Sequence, residues 1–411
     1  MLSNEDNNLL CRVEGDAPMG NMLKQKHWVP ALRAGRLEKD GAPIHVRLFG
    51  KDYVAFRATD GRVGLFDEKC PHRGVSLTLA RNEDCSLRCI FHGMKFHVSG
   101  QVVEAPTQSL KPEVFVKTMR LKHYPVQEAG GLIWVWLGNG GTPPQLPELE
   151  FMSLPDEHLN VRLQEIHCNW MQGIEATIDS SHVGILHKNW VGNLGELNLT
   201  ADNTAPRYDV MITPYGLKAA ALRGLEKAQT YVRVTELVFP YVSFIPPSNM
   251  STGDRLTIIT TPVDDEHSIQ YFIRYNIDKP IRHDDWRALD NPDAFAPVQG
   301  DVRNAWRQDR AAMKDGNNFS GFNNLQLEDF VVQTSMGAIV DRTQEQLCNG
   351  DQVIVRARRM YLQLTRDFCE GKGLEAAPSK LRHVRSWSFI TTADDAERWS
   401  DPKLRCATEV A

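Results

Sequence analysis

Two short runs decide the reading of this chain: Cys70-Pro71-His72-Arg73-Gly74 and Cys89-Ile90-Phe91-His92-Gly93. Each supplies one thiol and one imidazole, and each sits at the end of an expected β-strand. Loops at two strand ends can bring four such ligands to one place. Two thiolates on one iron and two imidazoles on a second form the ligand set of a [2Fe–2S] cluster whose potential is raised, because neutral imidazole carries less negative charge than thiolate. Gly74 and Gly93 suit a backbone that must approach closely and turn its N–H groups toward the sulfurs. The alternative is a structural zinc site. Such sites usually pair cysteine with cysteine and histidine with histidine, whereas each half here carries one of each, which favours the cluster. Cys85 and His97 fit neither spacing and are expected to be structural.

Around this motif the chain reads as short strands and turns: Tyr53–Phe56, the turn Asp60-Gly61, Val63–Phe66, Val102-Val103 and the apolar run Leu132–Leu137. The stretch Gly138-Asn139-Gly140-Gly141, followed by Pro143, Pro144 and Pro147, is the clearest linker. Beyond it a helix is expected over Asn169–Ile185. A meander of strands is expected over residues 207–277, and an amphipathic helix over Asp351–Phe368 with Val353, Ile354, Ala357, Tyr361, Leu364 and Phe368 on one stripe. The expected fold class is α+β: a small all-β domain at 41–145 and a larger catalytic domain at 146–411, with an antiparallel sheet that carries helices on one face. Residues 1–40 are expected to pack on the larger domain.

With 411 residues, 42% apolar and 24% charged, the composition is that of an ordinary globular protein. A net charge of −5 argues against nucleic-acid binding. No apolar run approaches the ~20 residues of a membrane helix. The first ten residues carry Glu5 and Asp6 and no basic side chain, unlike a secretory signal. Eight cysteines are too sparse for a disulfide framework. The expectation is a cytoplasmic protein with no membrane and no nucleic acid among its partners.

A second constellation lies in Glu175-Ala176-Thr177-Ile178-Asp179-Ser180-Ser181-His182-Val183-Gly184-Ile185-Leu186-His187. Two histidines and a carboxylate with open positions suit a mononuclear iron(II) that activates dioxygen. A five-residue step rotates a helical side chain by roughly 140°, so a break near Gly184 is expected to let both rings converge. Asp179 and His182 share a helical face, which allows the carboxylate to hydrogen-bond the outer nitrogen of a ligand histidine.

Taken together, Cys-x-His, Cys-x-x-His and Asp-x-x-His-x₄-His resemble the Rieske non-haem iron oxygenases. The resemblance is closest to the phthalate-dioxygenase-like branch, also through Asn169-Trp170, Ala17-Pro18-Met19-Gly20, Ala205-Pro206-Arg207-Tyr208 and Ser335-Met336-Gly337. It implies a Rieske cluster on Cys70, His72, Cys89 and His92, and a helix-grip catalytic domain binding Fe(II) through His182, His187 and an aspartate from a late helix. Leu325-Gln326-Leu327-Glu328-Asp329-Phe330 looks like that helix, which places the ligand at Asp329 with Glu328 as competitor. It further implies a homotrimer, or a stacked hexamer, in which Asp179 bridges His182 and the His92 of the next copy. No G-x-G-x-x-G follows a strand, so electrons from NADH are expected through a separate flavin and iron–sulfur reductase.

Members of that branch act on aromatic carboxylates. Arginine offers a bidentate fork for such a group, and Arg207 and Arg233 are the candidates. The span Val234–Asp254 holds no Lys or Arg, which tilts the expectation from phthalate toward a substituted benzoate. The function expected is the terminal oxygenase of an aromatic-carboxylate dioxygenase that cis-dihydroxylates its ring with O2. A monooxygenase or O-demethylase with the same metals, or a Rieske electron carrier without the second iron, are the alternatives, with a zinc-stabilised binding module behind them.

Overall fold

The computed structural model describes residues 2–249, 252–281, 291–372, 378–401 and 403–404. It resolves into two compact units. The smaller holds Val13–Asp16 and Gly20–Leu146, the larger Met1–Arg12, Ala17–Met19 and Pro147–Ala411. The segment 1–40, expected to pack on the larger domain, is divided between them. Only its first turns belong to the larger unit, because the strand Val29–Arg33 pairs with Leu132–Val135 inside the smaller one.

The smaller unit is built from antiparallel strands throughout. Val29–Arg33, Leu132–Val135 and Val126–Ala129 form one sheet, and Ile44–Leu48, Lys51–Arg57 and Val63–Asp67 a second. Arg81–Glu83, Ser86–Arg88, Lys95–His97 and Val102–Glu104 form a third. Alternation drives the pairing: Val54, Phe56, Phe66, Leu87 and Phe96 turn inward and meet in one core. Cys70 and Cys89 belong to that same core, each just beyond a strand end, so the two Cys/His loops grow out of it.

The larger unit carries an eight-stranded antiparallel sheet. Its order is Leu159–Ile166, Ser268–Tyr275, Arg255–Pro262, Val242–Ile245, Gln229–Val238, Gly216–Gly224 and Arg207–Thr213, with Trp387–Thr392 also paired to Gln229–Val238. The helix Trp170–Ile178 packs on the strands Val242–Ile245 and Arg255–Pro262 and touches the helices Leu325–Ser335 and Gln352–Cys369. Asn169 starts it: its side-chain oxygen accepts the Met171 N–H at 3.1 Å, and its amide nitrogen donates to the carbonyls of Cys11 and Asp265. Trp170, fully buried, sets its ring edge-on to Tyr361 at 5.6 Å, a pair worth about 1 kcal/mol beyond its buried area. Farther along, Glu175 accepts from both Arg342 and Arg358. Burial opposes its charge, yet the two guanidiniums hold its carboxyl below the ordinary range.

Two expectations shift. The long helix runs Gln352–Cys369, and its buried face includes Leu362 and Thr365 where Leu364 and Phe368 were expected; Thr365 Oγ1 satisfies itself on the Tyr361 carbonyl at 2.8 Å, so a polar residue tolerates the inner face. The helix expected over Asn169–Ile185 ends at Ile178. Asp179 is extended there (φ −83°, ψ 117°), and a short helix resumes over Val183–Leu186. The break therefore precedes His182 and is not at Gly184. Gly184 is needed for packing instead, because a Cβ there would sit 2.0 Å from the Thr200 carbonyl oxygen. Among the described residues, no helix is long and apolar enough to cross a membrane.

Candidate functional site

In the smaller unit the two Cys/His loops repeat one geometry. The Cys70 N–H donates to the Val75 carbonyl at 2.8 Å and the Gly74 N–H returns to the Cys70 carbonyl at 2.8 Å. The Cys89 N–H donates to Met94 at 2.9 Å and the Gly93 N–H returns to Cys89 at 3.0 Å. Gly74 and Gly93 share a φ of +72°, a conformation that other residues adopt at a cost. Their N–H groups thus close the loops, whereas the sequence alone suggested that they face the sulfurs. The donors that face the Cys70 sulfur are the N–H groups of His72 and Arg73. Burial raises the Cys70 pKa, and these donors work against that shift. The rings of His72 and His92 stand 4.7 Å apart at 71°. Two buried thiols side by side, two facing imidazoles and N–H donors at a sulfur fit a [2Fe–2S] cluster with mixed ligands.

In the larger unit His182 and His187 bracket the short helix Val183–Leu186, one at each end, so its single turn and the bend at His187 (φ −92°, ψ 19°) turn both rings to one point. Asp329 meets them from the helix Leu325–Ser335. Its Oδ1 lies 3.1 Å from His187 Nε2 and 3.5 Å from His182 Nε2. One ligand atom from each of the three lies within 4.8 Å of the others. The outer ring nitrogens are held by two further carboxylates. His182 Nδ1 faces Asp179 Oδ2 at 3.2 Å, and His187 Nδ1 faces Glu328 Oε2 at 2.6 Å. Each imidazole that keeps its proton on Nδ1 presents the Nε2 lone pair to a metal, so this donor set fits a mononuclear iron.

Glu328 and Asp329 were competitors in the sequence; the fold uses both. Neighbours on a helix point about 100° apart, and His187 lies where its two nitrogens meet one acid each. Glu328 is fully buried and also accepts from Ser320 Oγ. Burial disfavours the charged form of His187, but Asp329 and then Glu328 outweigh it and push the pKa up to about 9. Burial likewise works against the charges of Asp329 and Asp179, and both stay below the ordinary carboxylate range, Asp329 through His187 and His182, and Asp179 through His182 and its N–H and O–H donors.

A cavity of about 930 Å³ opens on this triad, within the size of small-molecule sites. Ile245, Leu256, Ile258 and Phe272 give it an apolar wall. Four arginines line it as well, all from strands outside the arginine-free span 234–254 that tilted the sequence reading toward one carboxylate. Arg255 pairs with Glu150, and Arg274 with Asp254. Arg162 is kept below its ordinary pKa by burial and by the like charge of Arg274. Arg233 is 3% exposed and donates to the Tyr231 hydroxyl and to the carbonyls of Pro246 and Pro247, with a buried Nε that has no acceptor among the described residues.

Arg207, the other expected substrate contact, is placed elsewhere. It is exposed on the strand Arg207–Thr213, pairs with Glu397, and does not line the cavity. Strand alternation turns the next residue, Tyr208, inward, and its hydroxyl reaches Asp179 Oδ1 at 3.2 Å. Tyr208 and Arg223, which binds Ser180, were missed; no spacing rule links positions 28 and 43 residues from their partners.

Known proteins resemble this chain along nearly its whole length. Residues 27–125 match the Rieske [2Fe-2S] domain family, and residues 135–405 match the family described as LigXa C-terminal domain like. A phthalate 4,5-dioxygenase oxygenase subunit from Pseudomonas putida is 37% identical, covering 98% of this chain and 95% of that protein. A 3-chlorobenzoate-3,4-dioxygenase oxygenase subunit from Comamonas testosteroni is 36% identical over 89% of each. The crystal structure of dicamba monooxygenase bound to dicamba superposes with a TM-score of 0.60 at 17% identity, covering 85% of this chain and 99% of that one, a likeness of fold.

Proposed function

Since this chain belongs to the Rieske non-haem iron ring-hydroxylating oxygenases, we propose that it is the oxygenase component of a system that cis-dihydroxylates a substituted benzoate or a phthalate with O2. It is an enzyme of the aromatic-dioxygenase type, its substrates bear a carboxylate, and a separate reductase supplies its electrons. The observation that carries the substrate reading is one wall shared by two features: the His182–His187–Asp329 triad and the buried guanidinium of Arg233 open on the same cavity. When bound, the iron and the cluster supply the reduction of dioxygen, one electron from each.

The residues of the chain do the rest. Arg233 lines the cavity, its Nη groups are held by neutral oxygens and it has no carboxylate partner among the described residues, so a substrate carboxylate fits as its counter-charge. Ile258 and Phe272 give the ring an apolar surface and exclude water from it. Cys70, His72, Cys89 and His92 hold the cluster, and His182, His187 and Asp329 the iron. Asp179 is the catalytic carboxylate that joins His182 to the His92 of a neighbouring copy in a homotrimer or a stacked pair of trimers. NADH feeds a flavin and iron–sulfur reductase, and the assembly works in the cytoplasm.

Metal analysis and product analysis test this together. The reading expects three irons per chain and a diol from at least one member of a panel of benzoates and phthalates. Two irons per chain with no turnover would reduce the protein to an electron carrier. A phenol or a demethylated product would move it to the monooxygenase class.

A further inference from the structure

Arg223 is a charge in a place where charge is costly. It lies on the strand Gly216–Gly224, is 0% exposed, and has no carboxylate within ion-pair distance among the described residues. Its partners are neutral. Nη2 donates to the Ser180 carbonyl at 2.6 Å, Nη1 and Nη2 both reach Ser180 Oγ at 3.3 Å, and Nε donates to the Asn203 carbonyl at 2.9 Å. A buried ion without a counter-ion is destabilising, and an apolar side chain of similar volume would fill the same space without that cost. Burial, and then the like charge of Arg233, lower its pKa to about 10, while Asp179 on the far side of Ser180 favours its charge. The guanidinium is therefore directed at Ser180 and anchored on the Asn203 carbonyl.

The Ser180 carbonyl belongs to the peptide that joins Ser180 to Ser181, and the N–H of that same peptide faces Asp179. Ser180 is gripped at both ends: Arg223 takes its carbonyl, and its N–H donates to the Tyr208 hydroxyl at 2.8 Å. The same hydroxyl donates to Asp179 Oδ1 at 3.2 Å, and the Ser181 N–H donates to that oxygen at 2.7 Å. With Oδ1 held twice, Oδ2 is left for His182, whose Nδ1 lies 3.2 Å away and whose N–H lies at 3.4 Å. The Asp179 N–H closes the preceding helix on the Glu175 carbonyl at 3.2 Å, but Ser180 and Ser181 lie in the break between two helices, where their N–H groups are held by the Tyr208 and Asp179 side chains instead of by a helix.

We propose that Arg223 is a positioning residue for the oxygenase reaction: by holding the carbonyl of the Ser180–Ser181 peptide, whose N–H donates to Asp179 Oδ1, it sets the Asp179 carboxylate on His182 Nδ1. The consequence for electron delivery rests on the proposed role of Asp179 between two copies; the consequence for geometry does not. A guanidinium suits the task because its planar fork takes the carbonyl and the hydroxyl of one residue together, while its Nε–H is anchored to the Asn203 carbonyl.

The test uses the iron-loaded holoprotein of Arg223→Gln, which keeps a donor and loses the fork and the charge. Its crystal structure is expected to show a rotated Ser180–Ser181 peptide and Asp179 Oδ2 displaced from hydrogen-bond distance of His182 Nδ1. Both metal centres should remain occupied. Oxidation of the pre-reduced cluster in a single turnover with benzoate or phthalate should slow about tenfold or more, with no further loss when Asp179→Asn is added, since residues acting as one unit are not additive. An Asp179 carboxylate still seated on His182 overturns the proposal. So does wild-type cluster oxidation where Asp179→Asn alone is slow. If Asp179→Asn itself oxidises its cluster normally, the bridge reading falls and the crystal structure alone decides the role of Arg223. Should Arg223→Gln not fold, Arg223→Lys, which keeps the buried charge but holds fewer acceptors, takes its place in the same two measurements: a displaced Asp179 with slowed cluster oxidation supports the clamp, and a seated Asp179 overturns it.

Discussion

Two adjacent acids on one helix, Glu328 and Asp329, serve the two nitrogens of one imidazole ring, His187. Which of them faced the metal was a choice of odds in the sequence. The fold makes it a division of labour. Glu328→Gln keeps the volume and removes the charge that orients His187, so affinity for iron should fall by about 10- to 100-fold while the cluster spectrum is unchanged; titration of the chelated protein with Fe(II) measures it. A pH effect follows from the same contact. In the metal-free protein His187 is raised to about 9 from an ordinary 6.5, so its contribution to stability is complete below about pH 6.5 and is lost as the pH rises through 9. The melting temperature of the chelated protein should drop across that window, and the iron-loaded protein, whose His187 is already deprotonated toward the metal, should lack this drop. Arg233→Met should raise KM for a carboxylated substrate by about 100-fold, the loss of one charge-assisted contact of roughly 3 kcal/mol, with the cluster and iron intact. The ligands themselves were legible because chemistry and spacing coincide in a short run. Tyr208 and Arg223 were not, because a tyrosine and an arginine on strands have a dozen ordinary uses, and only the tertiary fold brings them to Asp179 and Ser180.

At the scale of elements, the helix Val183–Leu186 is a single turn whose two ends carry the two metal-binding histidines. A turn this short has no stability of its own. Its position comes from packing, above all from the contact of Gly184 with the Thr200 carbonyl, where a Cβ would sit at 2.0 Å. Gly184→Ala should push the turn away, lose the mononuclear iron and keep the cluster; metal content and the Rieske resonance signal check both halves of that outcome. The sequence put a break near Gly184, between the two histidines. The fold spans that step with one helical turn and a bend at His187, and its break lies upstream at Asp179–Ser181, where Ser180 is held at its N–H and its carbonyl. Break positions are hard to read because they depend on partners far along the chain. Short apolar runs bounded by a turn were more legible: the strands expected at Tyr53–Phe56 and Val63–Phe66, on either side of Asp60-Gly61, appear as Lys51–Arg57 and Val63–Asp67. The inward face of Gln352–Cys369 was read less well, since Thr365 hides its hydroxyl on the helix backbone.

On the scale of the whole molecule, the chain joins two units whose ligand sets are separate. Cys70, His72, Cys89 and His92 lie in the smaller, and His182, His187 and Asp329 in the larger. Loss of one metal should therefore leave the other in place, and His182→Ala should purify with its cluster spectrum intact and without turnover. The all-β unit and the α+β unit were legible from the change in periodicity and from the Gly/Pro linker. The division of residues 1–40 was not, because the pairing of Val29–Arg33 with Leu132–Val135 joins positions a hundred residues apart. The central claim is that these two sites together oxygenate an aromatic carboxylate. Its most direct test is a single turnover of the pre-reduced protein, without reductase, under ¹⁸O-labelled dioxygen with a panel of benzoates and phthalates. The account predicts a carboxylated diol that carries both labelled atoms, formed as the cluster is oxidised. A fully iron-loaded protein that oxidises its cluster yet leaves every member of the panel unlabelled would contradict it.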